Sequence, residues 1–212
     1  MTLSLDLSAD VERWRELARE NPSRFAPKLA QALEALARRQ SEGGDLPGAL
    51  QSSREVVEVR RELYATSPEQ FRLGLARALE VLAQRQGEGG DLPGALQTSR
   101  EVVEVRRELY GANPGQFRLG LAQALTGLAA KAGTAGQSQE AQRICGESVE
   151  HWRELARENP SRFAPKLEQA LEALALFDAR PADGRAAAQN KVRQVKPKPH
   201  SWLRFWTHRL WS

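Results

Sequence analysis

Cysteine is nearly absent from this 212-residue sequence. Cys145 stands alone, so an internal disulfide and a site built on paired thiolates are both excluded. Histidine is almost as scarce: His151, His200 and His208 form no His-Glu-x-x-His motif, and the Gly-Gly-Asp turns lack the following Lys-Ser or Lys-Thr that would cradle phosphate. Cys145 and His151 fall on one helical segment, but six residues at about 100° each set them roughly 240° apart around its axis, so they do not form a dyad. The expectation is no catalysis, no metal and no cofactor. No run of about 18 apolar residues exists to form a transmembrane helix. Strand-type alternation and two-residue hairpin signals are missing too. The opening stretch, MTLSLDLSADVERWRE, has no basic segment leading into an apolar one, which with the lone cysteine gives a reducing, cytoplasmic expectation.

What remains is 41% hydrophobic and 27% charged, the balance of a globular chain. The net charge of +4 is unevenly placed. Residues 180–212 carry eight Lys or Arg against a single acid, Asp183, leaving the body slightly acidic. Three of the five tryptophans, Trp202, Trp206 and Trp211, lie in the same tail. Body and tail therefore call for separate readings.

The body repeats itself every 46 residues. Phe25, Phe71, Phe117 and Phe163 share a register, each three residues after a proline. Segment 47–64, PGALQSSREVVEVRRELY, returns at 93–110 with Ser52 replaced by Thr98, and WRELARENPSRFAPKL at 14–29 returns unaltered at 152–167. Surface positions match as closely as apolar ones, so identity between copies does not mark a binding residue.

Each period holds two helical patterns. The first runs through Leu29, Leu33, Leu36 and Ala37, then Leu75, Leu79, Leu82 and Ala83, then Leu121, Leu125, Leu128 and Ala129, then Leu167, Leu171, Leu174 and Ala175. Steps of four, three and one trace a single apolar stripe. The second runs through Ala49, Ser53, Val56 and Leu63, and again through Ala95, Ser99, Val102 and Leu109. Cys145 takes the place of Ser53 and Ser99, which points to a buried packing thiol.

The punctuation agrees. Asn21, Ser67, Asn113 and Asn159 each precede a proline, placing a capping side chain before a residue whose missing N–H costs nothing at a helix start. Ser67 with Gln70, and Asn113 with Gln116, have the spacing of a capping box. In SEGGDLPG and GEGGDLPG the glycines end one helix and Asp45 or Asp91 caps the next. The unit is an antiparallel helical hairpin, and hairpins that cannot bury their flanks alone must stack. An all-α fold follows, an α-solenoid. Its expected organisation is an opening half-repeat over 1–20, repeats over 21–66, 67–112 and 113–158, a partial repeat over 159–195, and a tail over 196–212. Asp183 and Ala187 stand in the registers of Asp45 and Ala49, which places a shortened final helix over 184–195.

The segments LEALARRQSEGGDLPGAL and LEVLAQRQGEGGDLPGAL resemble the tetratricopeptide repeat, in its long-helix form known from kinesin light chains and bacterial multi-repeat proteins. The resemblance covers roughly residues 8–178 and implies a superhelix whose concave face, lined by first helices, grips a protein or peptide partner. Carried over by register, the groove positions are Gln31, Glu34 and Arg38; Arg77, Glu80 and Gln84; Gln123 and Thr126; and Gln169 with Glu172. The third position turns apolar in the later copies, as Ala130 and Leu176. Glu34, Glu80, Thr126 and Glu172 occupy the place where kinesin-light-chain-like repeats carry an asparagine that holds the partner backbone. Read as a plain helix surface, Glu34 and Arg38 form an i,i+4 pair.

In the tail, Lys196 and Lys198 alternate with prolines before HSWLRFWTHRLWS. Trp202, Phe205, Trp206 and Leu210 fall on helical spacing, with Arg204 and His208 elsewhere on the wheel, and Arg209 and Trp211 complete the candidate tail residues. One reading is an interfacial helix that seats aromatics at lipid headgroups, making the protein peripheral at a membrane. Another is contact with nucleic-acid phosphates and unpaired bases, without a recognised nucleic-acid module to support it. A third is docking of the tail on the repeats themselves, as a cap or self-inhibitor. The last is no role at all. The sequence leaves the oligomeric state open.

Overall fold

The computed structural model describes residues 7–178. They form eight α-helices and no strand: α1 (Leu7–Glu20), α2 (Pro22–Glu42), α3 (Leu46–Thr66), α4 (Pro68–Glu88), α5 (Leu92–Ala112), α6 (Pro114–Thr134), α7 (Ser138–Glu158) and α8 (Pro160–Asp178). Each helix packs on the one before it and the one after it, which makes the all-α solenoid expected above. Helices α2 to α7 are 21 residues each, about 31 Å at 1.5 Å per residue.

The caps explain the breaks. Asn21, Asn113 and Asn159 accept from the backbone N–H of Arg24, Gln116 and Arg162, and Asp45 and Asp91 accept from Gly48 and Gly94. Ser67 departs from expectation: its hydroxyl makes no cap bond, and the Gln70 N–H is taken up by the Ser67 carbonyl instead. After each of α2, α4 and α6 the chain turns through a left-handed glycine, Gly44, Gly90 or Gly136, with φ of 80°, 82° and 76°. The following amide closes the helix by reaching back five residues, as from Asp45 N–H to the Gln40 carbonyl at 2.8 Å.

The leucine stripes form the core. Leu33, Leu79 and Leu125 are essentially inaccessible, and Ala37, Ala83 and Ala129 lie beside them. Each such leucine contributes about 1.5–3 kcal/mol by leaving water. On the second helices Ala49, Ser53, Val56 and Leu63 are buried, as are Ala95, Ser99, Val102 and Leu109. The stripe expected on α8 is different. Leu171 is 38% exposed and Ala175 is exposed, because none of the described residues covers that side of the last helix; α8 instead buries Ala170 and Ala173.

Second helices are also stitched to one another by charge. Arg15 meets Glu55 at 2.6 Å, Arg61 meets Glu101 at 2.6 Å and Arg107 meets Glu147 at 2.7 Å, each pair spanning 40 residues. These pairs are substantially exposed, so each is worth about 0.2–1 kcal/mol.

Candidate partner-binding face

The positions carried over by register do not behave as one set. Gln31, Arg38, Arg77, Gln84 and Gln123 are exposed on successive first helices, α2, α4 and α6. Gln84 donates to Glu88 one turn along at 2.9 Å. Glu34 and Glu80 are only half-exposed and are held from behind. The Arg60 guanidinium lies 2.7 Å from Glu34, and Arg106 forms a two-pronged contact with Glu80 at 2.8 and 2.9 Å. Glu34 therefore pairs across the hairpin with Arg60, not along its own helix with Arg38, because the α3 guanidinium is itself mostly buried and needs a counter-charge.

Thr126 leaves the face altogether. It is buried, donates to the Ala122 carbonyl at 2.8 Å and accepts from Trp152 Nε1 at 3.0 Å. Gln169 is half-buried, with Oε1 enclosed and unpartnered, while Glu172 is exposed. Lys196, Lys198, Trp202, Arg204, Phe205, Trp206, Arg209 and Trp211 lie outside the described residues.

Behind the exposed face, two positions change together, which register alone did not reveal. Where the second helix carries Arg60 or Arg106, the next first helix carries Gly74 or Gly120, and a Cβ there would sit 2.7 or 2.6 Å from a guanidinium nitrogen. Where the second helix carries Trp14 or Trp152, the partner position holds Lys28 or Lys166. Lys28 Nζ lies 4.8 Å from the Trp14 ring centroid, and Trp14 and Trp152 tilt against Phe25 and Phe163 at 6.2 and 6.3 Å. Among the described residues the array thus has Arg–Gly interfaces at α3–α4 and α5–α6 and tryptophan-bearing ones, packed on Phe25 and Phe163, at α1–α2 and α7–α8. The signal was present in the sequence as the covariation of 14/28, 60/74, 106/120 and 152/166.

The N-terminal end holds an open cleft of about 390 Å³ lined by Leu7, Asp10, Trp14, Lys28, Gln31 and Ala32. Nothing in it juxtaposes a nucleophile and a base. Cys145 is buried, its Sγ donating to the Ala170 carbonyl, and burial pushes its thiol up to about 11 with Asp178 adding to the shift. His151 turns to the other neighbour, meeting Tyr110 edge-on at 5.0 Å, and burial holds its imidazole below the usual range. The two side chains engage different helices, as their angular separation required. Burial likewise lowers the Lys131 amine. Among the described residues no cluster of three or more His, Cys, Asp or Glu could hold a metal, and no helix is long and apolar enough to cross a membrane.

Two solved structures were found to be similar to this chain. BtubC (BKLC) of P. vanneervenii is 16% identical over 92% of both chains, with a TM-score of 0.49. A P. anserina protein of kinesin-light-chain type, with nearly identical TPR-like repeats, is 18% identical over 82% of this chain and 95% of its own, with a TM-score of 0.35. No model of a known protein family matches the sequence, and no curated protein does.

Proposed function

We propose that the protein is a non-enzymatic scaffold that holds an extended or helical segment of a protein partner along the face made by its first helices, in a cytoplasmic setting. The observation that carries this reading is the division of labour among the polar residues. Glu34, Glu80 and Thr126 are tied into the hairpins, whereas Gln31, Arg38, Arg77, Gln84 and Gln123 remain exposed at a regular 46-residue step. A repeated row of exposed donors on rigid helices suits a ligand that is itself extended and periodic. The interfaces behind the row hold its spacing without spending its side chains.

The test is affinity capture with the full chain against Arg38→Glu/Arg77→Glu. Loss of a partner retained by Arg107→Glu, on the second-helix side, supports the reading. An unchanged partner set for both refutes it. The basic, tryptophan-bearing tail supports a second reading, a membrane-peripheral protein whose repeats merely present residues 196–212. Co-sedimentation with anionic vesicles separates the two: equal binding by the full chain and by residues 1–179 eliminates the tail as anchor.

A further inference from the structure

We propose that the bare side of α8 is covered in cis by residues 184–195, packed as a ninth helix in the register of α3, α5 and α7 and fixed by polar pairs that replace apolar ones. The first argument is the uncovered surface. Leu171 is the counterpart of Leu33, Leu79 and Leu125, which are 1%, 0% and 0% exposed, yet it stands 38% exposed with the chain continuing immediately beyond Asp178.

The second argument is complementarity at fixed spacings. Within a hairpin, residues 12 apart meet: Ser52 donates to Gln40 at 2.8 Å and Thr98 donates to Gln86 at 2.8 Å. The same spacing from Asp178 leads to Asn190, an amide donor for a carboxylate whose Oδ1 already accepts from Gln142. Residues 26 apart also meet, as in Arg60 to Glu34, Arg106 to Glu80 and Ser148 to the Ala122 carbonyl. From Glu168 that spacing leads to Gln194. Glu168 stands where Ala30, Ala76 and Ala122 are wholly buried, so an apolar cover would strand its charge. A helix bringing Asn190 and Gln194 would not.

The third argument is what faces outward. Ser53 and Cys145 contact the following first helix, through Arg85 and the Ala170 carbonyl. In 184–195 the same register position is Lys191, a residue fit for water, while Ala187 and Val195 keep the alanine and valine of the other copies. A second copy is a poor cover. On its α1, Asp10 and Arg13 take the places of Val56 and Val59, so its end is already polar. The entry turn must have its own form, because Pro181-Ala182 replaces Gly43-Gly44 and only glycine readily takes the left-handed step.

Amide hydrogen exchange on the full chain tests this. Residues 187–195 are expected to exchange at least about tenfold more slowly than an unstructured segment of the same sequence. Asn190→Asp/Gln194→Glu, which sets like charges against Asp178 and Glu168, should abolish that protection. Adding Asp178→Asn/Glu168→Gln, which exchanges the pairs, should restore it. Unprotected exchange over 187–195 overturns the proposal, as does protection that the like-charge variant leaves intact. Slowing confined to 200–211 assigns the face to the tryptophan segment instead. Protection that needs high protein concentration assigns it to a second copy, and protection that needs anionic vesicles assigns the order to lipid; each refutes docking in cis.

Discussion

Gly120→Ala is the sharpest probe of the paired interfaces. In an ordinary helix interior the change stabilises by up to about 1 kcal/mol, since alanine is the better helix former. Here the added methyl would lie 2.6 Å from an Arg106 guanidinium nitrogen. That guanidinium can move only by giving up its two bonds to Glu80, and its side chain is 11% exposed against 34% for the glutamate. Charge-assisted bonds of this kind are worth about 1.5–3 kcal/mol when buried, and partial solvation of Glu80 places this contact toward the low end. The net expectation is destabilisation by about 1 kcal/mol. In an Arg106→Ala background the obstruction is gone, and Gly120→Ala should stabilise by up to about 1 kcal/mol. The coupling is therefore about 2 kcal/mol, read from urea unfolding of the four proteins by circular dichroism. If Gly120→Ala has the same effect in both backgrounds, the glycine is not there to admit the arginine, and the account of the middle interfaces fails.

Arg107→Ala should cost about 0.2–1 kcal/mol, less than Arg106→Ala one residue away, because its pair with Glu147 is 46% and 31% exposed; equal costs in thermal melts would contradict the burial argument. Thr126→Val removes the acceptor for Trp152 Nε1 and should destabilise by about 1–3 kcal/mol, with a shifted tryptophan emission spectrum; an unchanged melting temperature would show the hydrogen bond to be dispensable. Cys145 should react with iodoacetamide far more slowly in the folded chain than in urea, its rate climbing as pH rises toward 11. Because the folded thiol is the weaker acid, the unfolded state releases its proton first, so stability should fall as pH rises from about 9 toward 11 and Cys145→Ser should flatten that slope. A native rate that matches the urea rate at pH 8 would place the thiol at the surface.

The fold was legible because duplication repeats every local signal in phase: capping asparagine, proline, leucine stripe, glycine turn. The face was less so. A register argument puts Gln31 and Glu34 on the same helix three residues apart, but cannot tell that Glu34 is claimed by Arg60, since that pairing depends on how two helices cross. Thr126 shows the same gap more strongly. It reads as a polar surface residue until Trp152, in the place of Arg106, turns its indole N–H inward and draws the hydroxyl into the core. Ser67 fails for a local reason. It holds the same place as the capping asparagines, yet the Gln70 N–H goes to its backbone carbonyl and its hydroxyl makes no cap bond.

The two kinds of interface also make different demands on the neighbouring helices. In the middle, an arginine needs a glutamate behind it and a glycine beside it, three positions on three successive helices. Among the described residues no helix precedes α1, so this arrangement would leave an arginine there without its glutamate. Trp14 escapes the difficulty: its ring packs against Phe25 and under Lys28, both supplied by α2 alone, and asks nothing of a preceding helix. Trp152 on α7 repeats the packing, against Phe163 of α8, and because α6 does precede it Thr126 satisfies its indole. Reuse of WRELARENPSRFAPKL at 14–29 and 152–167 is thus a structural statement as well as a sign of duplication. The segment makes a second-helix to first-helix joint that does not depend on a glutamate from the preceding helix, and the chain uses it at α1–α2 and at α7–α8.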